Sequence, residues 1–441
     1  MKKFLLGGAA VIALGVAGAY QFGLFDAEEN VRVPKKTPAV QAFKEISLDF
    51  THAPAEGRFP FTGGTAIDVD GNGSMEIFIS GSQGQSHGLF EFRNGELINI
   101  ASEAGLEGNE AAFGATSFDI DNDGDTDLIL AQHDGVWIYT NTGGKFKGQK
   151  VQMNAPAESF PLTVGVTDLN KDGRADLYVS NFVEPSKFVS STFNNPDHAK
   201  TNNMLLNLGG GQFKDVTEQT GTKGSQNTFH SAFVDLDGNG HQDLILANNT
   251  GQAEIFKNNG NLRFEKITSF QPGLGYWMGL GVGDIDKDGD QDIYLSNIGS
   301  SIPEGLVRGD LRDEQQIELE WLVLRNDGDF KLTDVTSDYQ LDGYGFAWGG
   351  VFEDINLDGE LDFLVAQNYI KWPGHNINKL PNKAFLKLEN GYYHIDELGL
   401  NNPYYGKSAL IADIDGDTKP DVVWLNMEGP ARAFLNQSPN N

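Results

Sequence analysis

One nine-residue pattern, Asp-x-Asp/Asn-x-Asp/Asn-Gly-x-x-Asp/Glu, recurs seven times, and its oxygens are the groups in this sequence best placed to do chemistry. The candidate ligands at positions one, three, five and nine are Asp68, Asp70, Asn72 and Glu76; Asp119, Asp121, Asp123 and Asp127; and Asp168, Asn170, Asp172 and Asp176. They continue with Asp235, Asp237, Asn239 and Asp243; Asp284, Asp286, Asp288 and Asp292; Asp354, Asn356, Asp358 and Asp362; and Asp413, Asp415, Asp417 and Asp421. Donors at positions one, three and five of a tight loop converge on one point. Position seven can add its carbonyl, and the acid at position nine completes the cage of six or more oxygens that the hard cation Ca²⁺ requires. Glycine at position six permits a turn with positive φ.

A single copy would read equally well as a solvated Asp/Gly turn, but seven copies at matching places point to metal. These positions hold 24 of the 62 acids, and seven divalent ions would carry the formal charge from -30 to -16. Without ions the carboxylates repel within small loops, so metal binding becomes part of folding. The fully acidic loops at Asp119 and Asp284 are expected to bind most tightly. The last loop carries Thr418 at the glycine position, followed by Lys419-Pro420, and the first ends in Glu76, which has the reach but alters the geometry.

Each loop needs strands to hold it. Short β-rich runs follow the copies (IFIS, LILA, LYVS, LILA, IYLS, FLVA, VVWL), and a Gly- and aromatic-rich strand precedes them. A further pair, joined by Asn/Gly turns as in LLLNLGGGQF, completes four antiparallel strands in about 50 residues, the size of a propeller blade. The fold class is therefore all-β, a seven-bladed β-propeller over residues 42–441 with a calcium-binding loop in each blade. The last repeat lacks a fourth strand, and Phe43-Lys44-Glu45-Ile46-Ser47 resembles the missing one. Pairing the two would close the ring and remove an exposed sheet edge.

Residues 4–25, apolar after Lys2-Lys3, read as a signal peptide or membrane anchor, and residues 26–41 as a linker. Export to the periplasm, tethered if the segment is retained, or to the outside if it is cleaved, is the expectation. The negative charge makes nucleic acid a poor partner. The absence of Cys excludes disulfides, thiolate zinc sites, a cysteine nucleophile and a lipoprotein anchor. A monomer is expected.

The Asp-rich loops, with Phe113-Gly114 ahead of one of them, resemble the FG-GAP (VCBS) repeat family. Met278-Gly279-Leu280-Gly281-Val282-Gly283-Asp284 and Phe213-Lys214-Asp215-Val216-Thr217 are similar to repeats of the cartilage-acidic-protein group. The resemblance covers residues 43–435, departs from the literal Phe-Gly in most blades, and implies calcium binding on a seven-bladed propeller. It says little about the partner.

The insertions at residues 182–203, 298–320 and 369–383 fall between strands two and three, opposite the metal loops. Aromatics on the same side (Phe59, Phe61, Phe160, Phe229, Tyr276, Trp277, Tyr344, Phe346, Trp348, Tyr404 and Tyr405) could form a carbohydrate or protein surface, or could plug the ring. Trp372 is the better candidate for an exposed contact. No nucleophile elbow, P-loop or dinucleotide fingerprint is present. His198, Arg308, Arg312, Lys371 and His375 are cations from which a lyase could assemble, while His230 and His241 flank the fourth loop and are expected at the surface. The reading is an exported calcium-binding propeller that acts as a binding or adhesion module for carbohydrate or protein. Its alternatives are a polysaccharide lyase-like enzyme and a membrane-tethered periplasmic assembly factor.

Overall fold

The computed structural model describes Pro34 and residues 43–299, 304–367, 370–372, 375–377, 380–389 and 391–438. The apolar run at residues 4–25 lies outside them, as does the linker apart from Pro34. Seven antiparallel sheets follow one another along the chain, five of four strands and two, in blades four and seven, with a short fifth strand. The innermost strands are Gly64–Ile67, Ala112–Phe118, Ser159–Thr167, Asn227–Val234, Leu280–Gly283, Ala347–Glu353 and Tyr405–Ala412, one from each of blades one to seven. Each touches the next and the last touches the first, so the sheets form a closed ring. Second strands such as Asp127–Gln132 and Asp362–Gln367 are buried along their whole length between neighbouring blades, which is why their sequences run apolar rather than alternating.

Closure is made by the chain's early strand. Lys44–Ile46 pairs antiparallel with Arg432–Leu435, Lys44 opposite Leu435 and Ile46 opposite Ala433, and supplies the fourth strand of blade seven. Arg432 clamps it with two bonds to the Glu45 carboxylate, at 2.8 and 2.7 Å. The recurrent Asp-Val-Thr is a local lock at the end of the fourth strand. Asp215 accepts from the Thr217 N–H (3.0 Å) and hydroxyl (2.6 Å), and that hydroxyl accepts from Met204 N–H on strand three (2.8 Å). Asp334, Thr336 and Val323 repeat the arrangement in blade five.

One irregularity organises the ring axis. In five blades the register between strands one and two slips past one residue of strand one, Phe113, Leu162, Phe229, Trp348 or Lys407, and blade seven has a second shift beside it at Tyr405–Gly406. Each stands six residues before the first Asp of its acidic loop. A bulge re-aims a side chain out of the ladder, and here it sends the side chain to the axis. Phe61, Phe113, Leu162, Phe229, Met278 and Trp348 pack there as one apolar cluster. Rings from blades on opposite sides meet: Phe61 and Phe229 are 5.4 Å apart, and each is 5.6 Å from Trp348. The next residue is often glycine because the following blade's backbone lies against it. A Cβ on Gly114 would sit 2.6 Å from the Leu162 carbonyl oxygen, and one on Gly279 would sit 2.3 Å from that of Trp348.

Candidate metal centres and the opposite face

Each acidic loop is a nest of its own hydrogen bonds. In blade two the Asp119 carboxylate accepts from the N–H of Asp123 (3.2 Å) and Gly124 (3.1 Å), and Asp123 accepts from Asp125 N–H (2.9 Å). The loops at Asp68, Asp168, Asp284 and Asp354 repeat this pattern. Position six has positive φ in all seven loops, six glycines and Thr418 (φ 68°), as the motif requires. Position four is also left-handed throughout, and it is held there by residues as different as Asn122, Lys171, Lys287 and Leu357. Strain at non-glycine residues persists only where surrounding structure imposes it, and here the carboxylate bonds to the following amides do so.

The acid at position nine opens strand two and is buried. In blade two one oxygen of Asp127 accepts from Ile120 N–H within the loop (2.9 Å) and the other from Asn141 N–H on strand three (2.7 Å). Asp176, Asp243, Asp292 and Asp421 make the same two bonds, with Asn207, Asn258, Asn326 and Asn436 in the strand-three role. Burial pushes the carboxyls of Asp127, Asp176, Asp243 and Asp292 up to about 6, those of Asp421 and Glu76 to about 7, and that of Asp362 to about 8. The two amide bonds and the acids in the same loop act on them less strongly. A divalent cation would reverse this shift, because it favours the ionised form.

The asparagines on strand three reach further still. Asn141 Nδ2 donates to Val69 O (2.9 Å), Asn207 Nδ2 to Ile120 O (3.0 Å), Asn326 Nδ2 to Leu236 O (2.9 Å) and Asn436 Nδ2 to Ile355 O (2.9 Å). Every acceptor is position two of the preceding blade's acidic loop, so the loops are stapled from blade to blade. In blade six Lys387 stands in the asparagine's place and its ammonium bonds Ile285 O. The sequence reading missed these asparagines, because the insertions of blades three and five set Asn207 and Asn326 much farther from position nine than Asn141, Asn258 and Asn436 are.

Carboxylates of positions one, three and nine converge within 4.8 Å of one another in the loops at Asp119, Asp235, Asp284 and Asp413. At Asp168 and Asp354 position three is Asn170 or Asn356, so two carboxylates and an amide share that role. Asp70 and Glu76 stand with Asp68 and Asn72 in the first loop, where Glu76 accepts from Val69 N–H (2.8 Å). Neutralising cations sit on some ligands: Arg174 on Asp172, Lys257 on Asp237 and Lys419 on Asp417. Among the described residues no Lys or Arg pairs with Asp119, Asp121, Asp123 or Asp127.

On the opposite face the insertions of blades three and five meet. The Asp310 carboxylate accepts from Phe193 N–H (2.6 Å) and Asn194 N–H (3.1 Å), and the side-chain amides of Asn194 and Gln315 bond reciprocally at 2.8 and 3.1 Å. Tyr276 OH donates to Val307 O at 2.7 Å and lies 2.6 Å from Ser191 Oγ. Beside them His133 Nε2 stands 2.9 Å from Arg58 and 3.3 Å from Glu184. Of the aromatics weighed for this face, Phe59, Phe61, Phe160, Phe229, Tyr276, Phe346, Trp348 and Tyr405 belong to the axial cluster, and Trp277 and Tyr344 are buried between blades. Tyr404 stays exposed at 38%, and Val189 on the blade-three insertion at 62%. Trp372, Lys371 and His375 lie on the hairpin Ile370–Trp372 and His375–Ile377, and their side chains fall outside the described residues.

Among the described catalytic candidates Arg308 and Arg312 come together through the Arg312 carbonyl, and no described hydrogen bond joins either to His198. His198 is buried, accepting from Val189 N–H and contacting the Asn227 amide, whereas Arg308 bonds Glu304 and the carbonyls of Arg312 and Gln315. Arg312 is exposed beside Glu314. The expectation that His230 lies at the surface is wrong. It sits on the innermost strand of blade four, where its Nδ1 accepts from Leu280 N–H (3.4 Å) and burial lowers its pKa to about 4.

The FG-GAP-like repeat family matches four stretches in two overlapping pairs, residues 68–130 and 119–179, and residues 188–246 and 235–295. Cartilage acidic protein 1 of Xenopus tropicalis is 24% identical over 356 residues, covering 72% of this chain and 49% of that protein. The Homo sapiens protein is 25% identical over 331 residues, covering 69% and 47%. The chain spans about half the length of these curated relatives. A crystal structure of BBS1N in complex with ARL6DN superposes with a TM-score of 0.54 over 91% of this chain and 99% of that one, at 9% identity, a likeness of fold alone. Repeats read from the loops, seven blades closed into a ring and the matching stretches agree: the chain belongs to the FG-GAP repeat family of β-propellers.

Proposed function

We propose that this protein is an exported, calcium-stabilised propeller that works as a binding or adhesion module, its carbohydrate or protein partner docking on the face opposite the acidic loops. One observation carries the reading. The carboxylates gather in repeated cages on one side, while the insertions of blades three and five are cross-tied by Asp310, Asn194 and Gln315 on the other. Calcium would be held by positions one, three, five and nine of each loop and would neutralise carboxylates that otherwise repel. Metal on one face would leave the cross-tied rim free for recognition. A protein partner is in keeping with the fold, since the similar BBS1N propeller is seen with ARL6DN.

The test incubates the purified protein with anionic and neutral polysaccharides, with calcium and then with chelator, scoring bound protein and released fragments. Calcium-dependent retention without fragments supports the module. Fragments would replace it with the lyase reading, and no retention would turn the search to envelope proteins.

A further inference from the structure

Six blades place an apolar residue on the ring axis, and the seventh places a lysine there. Lys407 occupies the bulge position in Tyr405–Ala412 that Phe113, Leu162, Phe229 and Trp348 occupy in their own strands. Its Nζ lies 5.3 Å from the Trp348 ring centroid and 5.9 Å from those of Phe61 and Phe229. Groups from blades one, four, six and seven can meet only on the axis, so the ammonium stands inside the plug. Packing does not demand it, because leucine or methionine fills the equivalent place in blades three and five.

The rings stabilise the cation through their faces, an attraction that strengthens on desolvation, but a ring face is a poor substitute for the hydrogen bonds an ammonium loses on leaving water. In a chain with 62 acids, no described carboxylate forms an ion pair with Lys407. Two more N–H donors belong to the same neighbourhood. The Trp348 indole Nε1 is buried with no acceptor. His230 Nδ1 accepts from Leu280, which leaves its proton on Nε2, and the Lys407 charge opposes a second proton on that ring. The indole N–H is thus a buried donor without an acceptor, beside an ammonium that stands half-buried on the axis without a described ion pair, and an unpaired buried donor is costly. Burial alone lowers the Lys407 amine to about 8, so it remains mostly charged at neutral pH.

We propose that the axis of the propeller is an anion site in which Lys407 binds a small monovalent anion of halide size. Phe61, Phe229 and Trp348 crowd the ammonium, and its single charge with one indole donor matches a compact monovalent ion better than a doubly charged or bulky one. The site is separate from the acidic loops and from the rim proposed for partner docking.

The full chain, loaded with calcium, should be melted in sodium bromide, sodium chloride and sodium gluconate at matched ionic strength, and crystals soaked in bromide should be read by anomalous scattering. A saturable rise in melting temperature with bromide and chloride but not gluconate is expected, with an anomalous peak against Lys407 Nζ. Lys407→Met, which copies blade five, should fold and lose the halide-dependent rise. If it fails to fold, bromide density in the parent still decides the matter. The absence of a peak at Lys407, or an equal halide response in parent and variant, would overturn the proposal.

Discussion

Replacing Asn207 by alanine should loosen the ring at one seam. Its side chain is 4% exposed; Nδ2 donates to Ile120 O (3.0 Å) and Ala175 O (3.1 Å), and Oδ1 accepts from Gly209 N–H (2.9 Å). Asn207→Ala would leave two carbonyls and one N–H without partners. At about 1–3 kcal/mol for each unsatisfied group, partly recovered by water at the loop edge, the expected loss is about 2–4 kcal/mol. Equilibrium denaturation of parent and variant in calcium measures it. The staple also fixes Ile120, position two of the blade-two acidic loop, so calcium affinity at the proposed site there should fall while that of the Asp284 loop is unchanged. A loss below about 0.5 kcal/mol, within the range of ordinary surface substitutions, would refute the claim that these amides hold neighbouring blades together.

Gly279→Ala should destabilise by about 2–3 kcal/mol or prevent folding, since its Cβ would lie 2.3 Å from the Trp348 carbonyl and backbone cannot move aside cheaply; thermal melting would reveal it, and a neutral result would contradict the close approach. Deleting residues 43–47 should open blade seven and leave Arg432–Leu435 as an exposed edge, lowering the melting temperature and promoting association visible by light scattering. The calcium effect should depend on pH. The carboxyls of Asp127, Asp176, Asp243 and Asp292 are raised to about 6 from an ordinary value of about 4. The metal-free protein therefore loses stability as pH rises from about 4 through 6, where buried acids ionise, while calcium binding gains over the same range. The stabilisation by calcium should be larger at pH 7.5 than at pH 5.5, as differential scanning calorimetry would measure.

The blades were legible because the acidic loop keeps one spacing and one chemistry in every repeat, and because Phe43 to Ser47 matched the strand missing after Leu435. The side on which the insertions emerge followed from the strand at which each begins. The axial position was not legible, since Phe113, Leu162, Phe229, Met278, Trp348 and Lys407 run through five residue types and a bulge breaks the alternation that identifies strands. The literal Phe-Gly of Phe113-Gly114 is one instance of a plug residue followed by a contact residue, a pairing visible only once the next blade's backbone is in place. His230 was misplaced for the same reason. The tie between Asn194 and Asp310 joins segments 116 residues apart, and no local pattern announces such a contact.

The most direct test of the account is calorimetric titration of the chelator-stripped protein with Ca²⁺, followed by melting of the loaded and stripped forms. The account predicts between four sites, the loops whose carboxylates already converge, and seven, with a strong rise in melting temperature on loading. Each site held at 100-fold over its Kd would add about 2.7 kcal/mol. Titration without heat, together with melting curves that coincide with and without metal, would contradict it.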